Sequence, residues 1–322
     1  MARHVGGLSN INFFSRSNDY QLLRREAMKA RRRFWNQFFE KSLTASAFIS
    51  IAILLGIFIL LATNGWKAFQ DVGLEEFLSL ERWNPSAYDT PSYGLGALLL
   101  GTALTTLGAI AIAAPLGVGM AFFLAEIAPV RLRNVLKPAV ELMAAVPSVV
   151  MGFAGIVVVG PFLAQLFGLP NGLNALNGAI LLAFMALPTI VSVSEDVVQA
   201  VPRTYKEASY ALGANRWETL VQVTLPACYS GLLAAVMLGV GRAIGETMTV
   251  LMATGNATAV PTSFFSSVRT LTATVAIEMG EVPTGTTHYY VLFACALVLF
   301  IITLIINIVA EQIATQLRRK GQ

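Results

Sequence analysis

Arg242 and Glu246 stand four residues apart in LLAAVMLGVGRAIGETMTVLM, residues 232–252, a stretch otherwise uncharged and long enough to cross a bilayer. A charged side chain near the centre of such a helix costs about 2.5–3.5 kcal/mol on insertion scales. Two chemistries offset that cost. At a helical spacing of four, the guanidinium and the carboxylate share a face and can neutralise each other, bracing the helix against its neighbours. Alternatively, Arg242 offers a transient charge-assisted contact to an anion crossing the membrane, while Glu246 holds the guanidinium and keeps it from becoming a trap. Intramembrane ionisable residues mostly line solute pathways, which favours the second reading. Gly241 and Gly245 flank the pair at a spacing that permits close helix approach, and packing alone also accounts for them.

Other chemistries find little support. The two histidines, His4 and His288, lie near opposite ends of the chain, so no nucleophile–base set or metal cluster is expected. Cys228 and Cys295 lie in or beside apolar runs and read as packing residues. No Gly-x-x-x-x-Gly-Lys-Ser/Thr loop occurs, so ATP is not expected to bind this chain.

The elements that position the pair follow from composition. The 322 residues are 56% hydrophobic and 12% charged, against about 25% charged in soluble domains. The chain therefore reads as an all-α integral membrane protein. The formal charge of +4 does not point to nucleic acid, because nine basic residues fall in the first 41 positions, as in a cytoplasmic tail obeying the positive-inside rule. That segment, residues 1–42, ends in RRRFWNQFFEK, which suits a helix at the membrane surface or an unstructured tail.

Spans are expected at Leu43–Thr63, Gly94–Ile127 (counted once, with a kink at Pro115), Pro138–Leu163, Ala179–Val198, Leu232–Met252 and His288–Ile313. The loop from Asn64 to Tyr93 is acidic and is placed outside, whereas APVRLRNVLK and the final Arg318, Arg319 and Lys320 are placed inside. Six spans with both termini cytoplasmic result. Residues 43–316 form the transmembrane domain and 317–322 a cytoplasmic tail. Glu195 and Asp196 are expected at the interface. The outer segment 253–287 is too amphipathic for an ordinary loop, and its threonines can satisfy each other. Arg269 within it is a candidate entrance contact, or a partner for Glu278 or Glu281, or a docking residue.

Between the fourth and fifth spans, residues 199–226 contain PRTYKEASYALGANRWETLVQVTLP. Thr204 and Glu207 have the spacing of a capping box, Gly213 suits a left-handed C-terminal cap, Asn215 can cap a second helix to about Thr224, and Pro226 can open the following span. A cytoplasmic helical hairpin is expected, and Tyr205, Tyr210, Leu212, Trp217 and Leu220 on it call for a partner surface.

Glu207-Ala208-Ser209, then Gly213, then Leu225-Pro226 resembles the EAA loop of ABC-importer permeases, with Ser209 in place of the second Ala. GVGRAIGETM, VRTLTATVAIEMGE and the basic N-terminal extension are similar to the C-type permease subunits of high-affinity phosphate importers, from about residue 40 onward. The resemblance implies a type I importer permease fold in which Glu207, Ala208, Gly213, Leu225 and Pro226 couple to a separate ATPase. It further implies a homologous A-type permease, an ATPase dimer that binds ATP and Mg, and an extracytoplasmic phosphate-binding protein. Arg242, Glu246 and Arg269 would then belong to the substrate pathway. Sulfate or molybdate would satisfy an arginine equally well. A secondary transporter is the other class to weigh, although paired interrupted helices and internal repeats are not found, and the cytoplasmic hairpin would lack a purpose.

Overall fold

A computed structural model describes residues 11–320; for 11–34, 36, 314 and 316–320 it describes the backbone alone. The first ten residues of the expected N-terminal segment lie outside the described residues. The chain divides into two compact units, Met1–Leu60 and Leu61–Gln322. α1 (Ile11–Asp71), most of which belongs to the first, is helical without interruption, so the expected boundary at residue 42 is a change of composition and not of backbone. Trp35, Phe38 and Phe39 are exposed on it and contact one another, with ring centroids 5.8–6.0 Å apart.

In the second unit, α2 (Leu74–Phe77) and a short antiparallel pair, β1 (Trp83–Asn84) with β2 (Ser92–Tyr93), fill the connection to α3 (Gly96–Phe122). There follow α4 (Val130–Ala144), α5 (Ser148–Ala154), α6 (Gly160–Phe167) and α7 (Ala175–Gln199). Next come α8 (Arg203–Ala211), α9 (Arg216–Thr219), α10 (Leu225–Gly245), α11 (Met248–Ala253), α12 (Leu271–Glu278) and α13 (Thr287–Lys320). π-helical turns at Phe123–Ile127, Gly155–Val159 and Leu220–Thr224 prolong α3, join α5 to α6, and join α9 to α10. Six stretches of the described residues are long and apolar enough to cross a membrane: Gln37–Asp71, Gly96–Ile127, Ser148–Phe167, Ala175–Gln199, Arg216–Gly245 and Thr287–Ile313. The number expected is met, and Pro115 lies inside α3, whose 27 residues run on without a second crossing.

Several boundaries differ from expectation. The third span does not start at Pro138, which sits inside α4; that helix stops at Ala144 and a new one starts at Ser148. Pro147 is the cause, since it has no N–H to give the helix and bars Val146 from the helical region. The basic stretch read as a loop is thus the first half of α4, a helix with no buried residue. The fifth span starts earlier, at Arg216, and ends earlier, at Gly245. The last helix continues to Lys320, so no backbone break sets off the expected tail.

The core lies between α3, α7 and α10. Ala109 and Ala113 of α3 pack on Leu182, Ala183, Ala186 and Ile190 of α7. Gly117 and Gly239 allow Ile190 this close approach: a Cβ at either glycine would stand 2.6–2.7 Å from an Ile190 methyl carbon. A second cluster, Phe77, Trp83, Leu95, Leu98, Leu271 and Leu292, closes the end of the molecule remote from α8 and α9. A third, Phe122, Val198, Val201, Cys228 and Leu232, closes the end that bears them.

Candidate functional site

The intramembrane site is built at the end of α10. Gly245 is the last helical residue, Glu246 is extended at φ −70° and ψ 130°, and α11 resumes at Met248. The break removes the geometry that a spacing of four needs. Arg242 and Glu246 are therefore not ion-paired, so neither the mutual brace nor the hold of Glu246 on the guanidinium expected in the favoured pathway reading is made; the ion pairs among the described residues lie elsewhere. Arg242 occupies the last turn of α10 and directs Nη1 to the Thr189 hydroxyl on α7 at 3.5 Å, while its Nε is buried without an acceptor. Glu246 instead anchors the break. Its Oε1 accepts from the Thr249 amide at 3.5 Å, the Thr249 hydroxyl lies at 3.4 Å, and its backbone carbonyl accepts from the Thr272 hydroxyl at 3.0 Å. A Cβ on Gly241 would stand 3.8 Å from Asn307 Oδ1 of α13, an ordinary contact, and one on Gly245 would meet nothing within 4 Å, so close packing requires neither glycine. What remains is a guanidinium inside the bilayer length with no carboxylate to neutralise it and an unfilled donor, which is chemistry suited to an anion.

Arg269 lies at the remote end, outside this site. Its Nη1 meets Glu278 Oε1 at 2.7 Å and its Nε donates to the Asn256 carbonyl at 3.2 Å. Glu278 also accepts from Trp83 Nε1 at 3.0 Å and meets His288 Nε2 at 2.8 Å. One half-buried carboxylate thus ties together β1, the loop before α12 and the start of α13. Of the roles open to Arg269, pairing with Glu278 is the one its geometry fulfils. The threonines of this segment do satisfy each other, Thr270 and Thr272 hydroxyls lying 3.0 Å apart.

The other candidate residues form a hairpin, α8 turning into α9. Gly213 adopts φ +91°, the left-handed cap expected, and the Ala214 amide reaches back to the Ser209 carbonyl at 3.2 Å. The Thr204–Glu207 capping box is absent. Pro202, held near φ −56°, starts the helix two residues sooner and puts Thr204 inside it. The capping box is at Asn215 and Glu218 instead, each side chain accepting from the other's amide at 2.8–2.9 Å. Ser209, the departure from the Glu-Ala-Ala pattern, is buried, and its hydroxyl meets that of Thr219 at 2.9 Å, locking the two arms. Glu207 and Ala208 are exposed on the outer face of α8. Leu225 and Pro226 do not open a separate helix, because the π turn carries α9 into α10 as one continuous element from Arg216 to Gly245. Tyr205, Leu212 and Trp217 are 55%, 91% and 68% exposed, an apolar surface that water does not favour.

Two polar clusters beneath the hairpin were not foreseen. Lys206 of α8 is ion-paired with Glu126 in the π turn that ends α3. Glu195, expected at the interface, is buried near the C-terminal end of α7; it meets Arg133 at 2.7 Å and Lys137 at 3.1 Å, both on α4, and accepts from Gln199 at 2.7 Å. Lys137 stands off the hydrogen-bonding direction of Oε2. Glu126 is the lone acid between Tyr93 and Glu141, the one signal in sequence that set it apart. A cleft of about 810 Å³ opens beside it, lined by Tyr210, Asn215, Arg216, Trp217 and Leu220.

The family model described as "Binding-protein-dependent transport system inner membrane component" matches residues 113–320. Among curated proteins, the chain is 39% identical over 279 residues to a Bacillus subtilis protein named "Probable ABC transporter permease protein YqgH", covering 86% of this chain and 89% of that one. It is 37% identical to "Phosphate transport system permease protein PstC" of Mesorhizobium japonicum, covering 89% and 92%. The PstC of Haemophilus influenzae is 33% identical, covering 90% and 98%. Among solved structures, a subunit of a bacterial ABC transporter involved in alginate import superposes with a TM-score of 0.58 at 14% identity, covering 88% of this chain and 99% of that one. One from the MetNI methionine ABC transporter gives 0.52 at 19%, covering 70% and 94%. These two likenesses establish the fold.

Proposed function

Because the chain belongs to the inner-membrane components of binding-protein-dependent transport systems, we propose that it is a permease subunit through which an ATP-driven importer passes inorganic phosphate across the cytoplasmic membrane. The relatives named as phosphate permeases support the substrate. In this reading both termini and the α8–α9 hairpin are cytoplasmic, in keeping with the basic residues at both ends of the chain. A homologous A-type permease completes the pathway, two ATPase copies bind ATP with Mg and receive the hairpin, and an extracytoplasmic phosphate-binding protein delivers the substrate. Membrane lipid is the surrounding solvent. This chain itself binds no nucleotide and catalyses no covalent step.

The observation that carries the proposal is the continuity of one helix, Arg216–Gly245, with an exposed apolar hairpin at one end and the uncompensated Arg242 at the other. A movement imposed on Trp217 is transmitted along some 40 Å of helix, at about 1.5 Å per residue, to the guanidinium. Arg242 presents donors to phosphate oxygens and releases them again, since a single arginine half-held by Thr189 is a weak site. Glu246 keeps the chain bent directly after it. Proteoliposomes holding the full complex test the reading: phosphate uptake should require ATP and the binding protein and resist excess sulfate or molybdate. Uptake that persists without ATP under a proton gradient would mark a secondary transporter, and equal competition by sulfate would mark a different oxyanion permease.

A further inference from the structure

The second span touches both of the surfaces that this transport reading sets to work. At the outer end of α3, Thr102 Oγ1 accepts from the Leu271 amide at 3.1 Å, and a Cβ on Gly101 would stand 2.5 Å from the Arg269 carbonyl oxygen. The backbone of α3 therefore lies directly against the segment that carries Arg269 and α12. At the inner end, Glu126 is ion-paired with Lys206, the residue next to Glu207 in the hairpin. Both side chains are shielded, at 20% and 17% exposure. Between these points run 24 residues of one helix, about 36 Å at 1.5 Å per residue. Its inner turn is π-helical, a rare form that recurs at functional positions. α3 is also the principal packing partner of α7, through which its displacement reaches Thr189 and Arg242.

We propose that α3 is the strut by which the extracytoplasmic face signals to the ATPase, and that Glu126 and Lys206 are the coupling pair at its inner end. This rests on the reading that α8 and α9 dock on the ATPase. The pair differs from an ordinary surface bridge in what it joins: without it, α8 keeps its connection to α9 through Ser209 and Thr219 but loses its one ion pair to the second span. Rigid elements linked by such specific contacts are the physical means by which distant sites share free energy.

The test uses the complete complex in proteoliposomes, with Glu126→Gln, Lys206→Gln and the charge exchange Glu126→Lys/Lys206→Glu. Purified complexes of the single variants should retain their ATPase subunits and basal hydrolysis. Stimulation of hydrolysis by phosphate-loaded binding protein, and phosphate uptake, should each fall at least about fivefold, the lower end of coupling between sites. The exchange should restore most of both. Parental stimulation in both single variants overturns the proposal, as does an exchange no better than the singles. Loss of ATPase subunits from the single variants also overturns it, by making the pair a docking brace. In parallel, cysteines placed singly at the exposed positions 205, 207, 208 and 212 should cross-link to the ATPase in parental and variant complexes alike. No cross-link in the parental complex removes the docking reading on which the strut stands.

Discussion

Replacing Arg242 by glutamine separates its two possible roles, because they predict opposite behaviour of stability. Breaking a buried ion pair costs about 3–5 kcal/mol through the charge left behind. Arg242 has no such partner here: its contact with Thr189 is long at 3.5 Å, and its Nε is already an unfilled donor. Glutamine gives up a marginal hydrogen bond and removes an unsatisfied group, so the net change should stay within about 0.5 kcal/mol. Transport should respond otherwise. A hydrogen bond to a charged group contributes about 1.5–3 kcal/mol, and at 1.4 kcal/mol per factor of ten its loss lowers uptake roughly 10- to 150-fold. The assay pairs thermal unfolding of the purified complex with initial rates of phosphate uptake. Arg242→Lys, which keeps the charge and loses the planar fork, should fall between. In a double-mutant cycle with Glu246→Gln, the coupling in stability should be below about 0.5 kcal/mol. Parental uptake by a stable Arg242→Gln complex refutes the pathway role. A destabilisation of several kcal/mol that accounts for the lost uptake shows instead that the arginine braces the fold.

Glu195→Ala strands Arg133 and Lys137, but each is about one-third exposed and can regain water, so the loss should be about 1–3 kcal/mol and not the full penalty of a buried pair; a drop in unfolding temperature larger than that of Glu195→Gln checks it. Gly213→Ala meets open space, yet at φ +91° it forces a side chain into left-handed backbone at about 1–2 kcal/mol. It should weaken recovery of the ATPase subunits in pull-down while leaving the membrane helices intact by circular dichroism. Arg269→Gln should lower thermal stability by breaking the Glu278 node while the apparent KM for phosphate changes less than twofold; a larger KM effect restores the entrance role.

Much of this protein was legible in its sequence because bilayer and water impose strong, local rules. Twenty apolar residues in a row leave the backbone no solution but a helix, which fixed the number of spans and kept Gly96–Ile127 as one despite Pro115. Gly213 and Asn215 could be placed from the chain alone, since a left-handed cap and a side-chain cap are properties of a few consecutive residues. Where the chain passes from one helix to the next inside an apolar run, hydropathy is silent. Pro147 and the turn at Glu246 were therefore misjudged, and with the turn went the Arg242–Glu246 pair. The contacts of Glu126 with Lys206, of Glu195 with α4 and of Glu278 with Trp83 and His288 join residues 10 to 195 positions apart. Only the packing of the helices brings such groups together. The sequence by itself thus determined that a charge lies within the membrane length of this protein, because lipid makes every such residue conspicuous. The tertiary structure decided that Arg242 is left without a carboxylate, because a helix that ends at Gly245 turns the nearest one away.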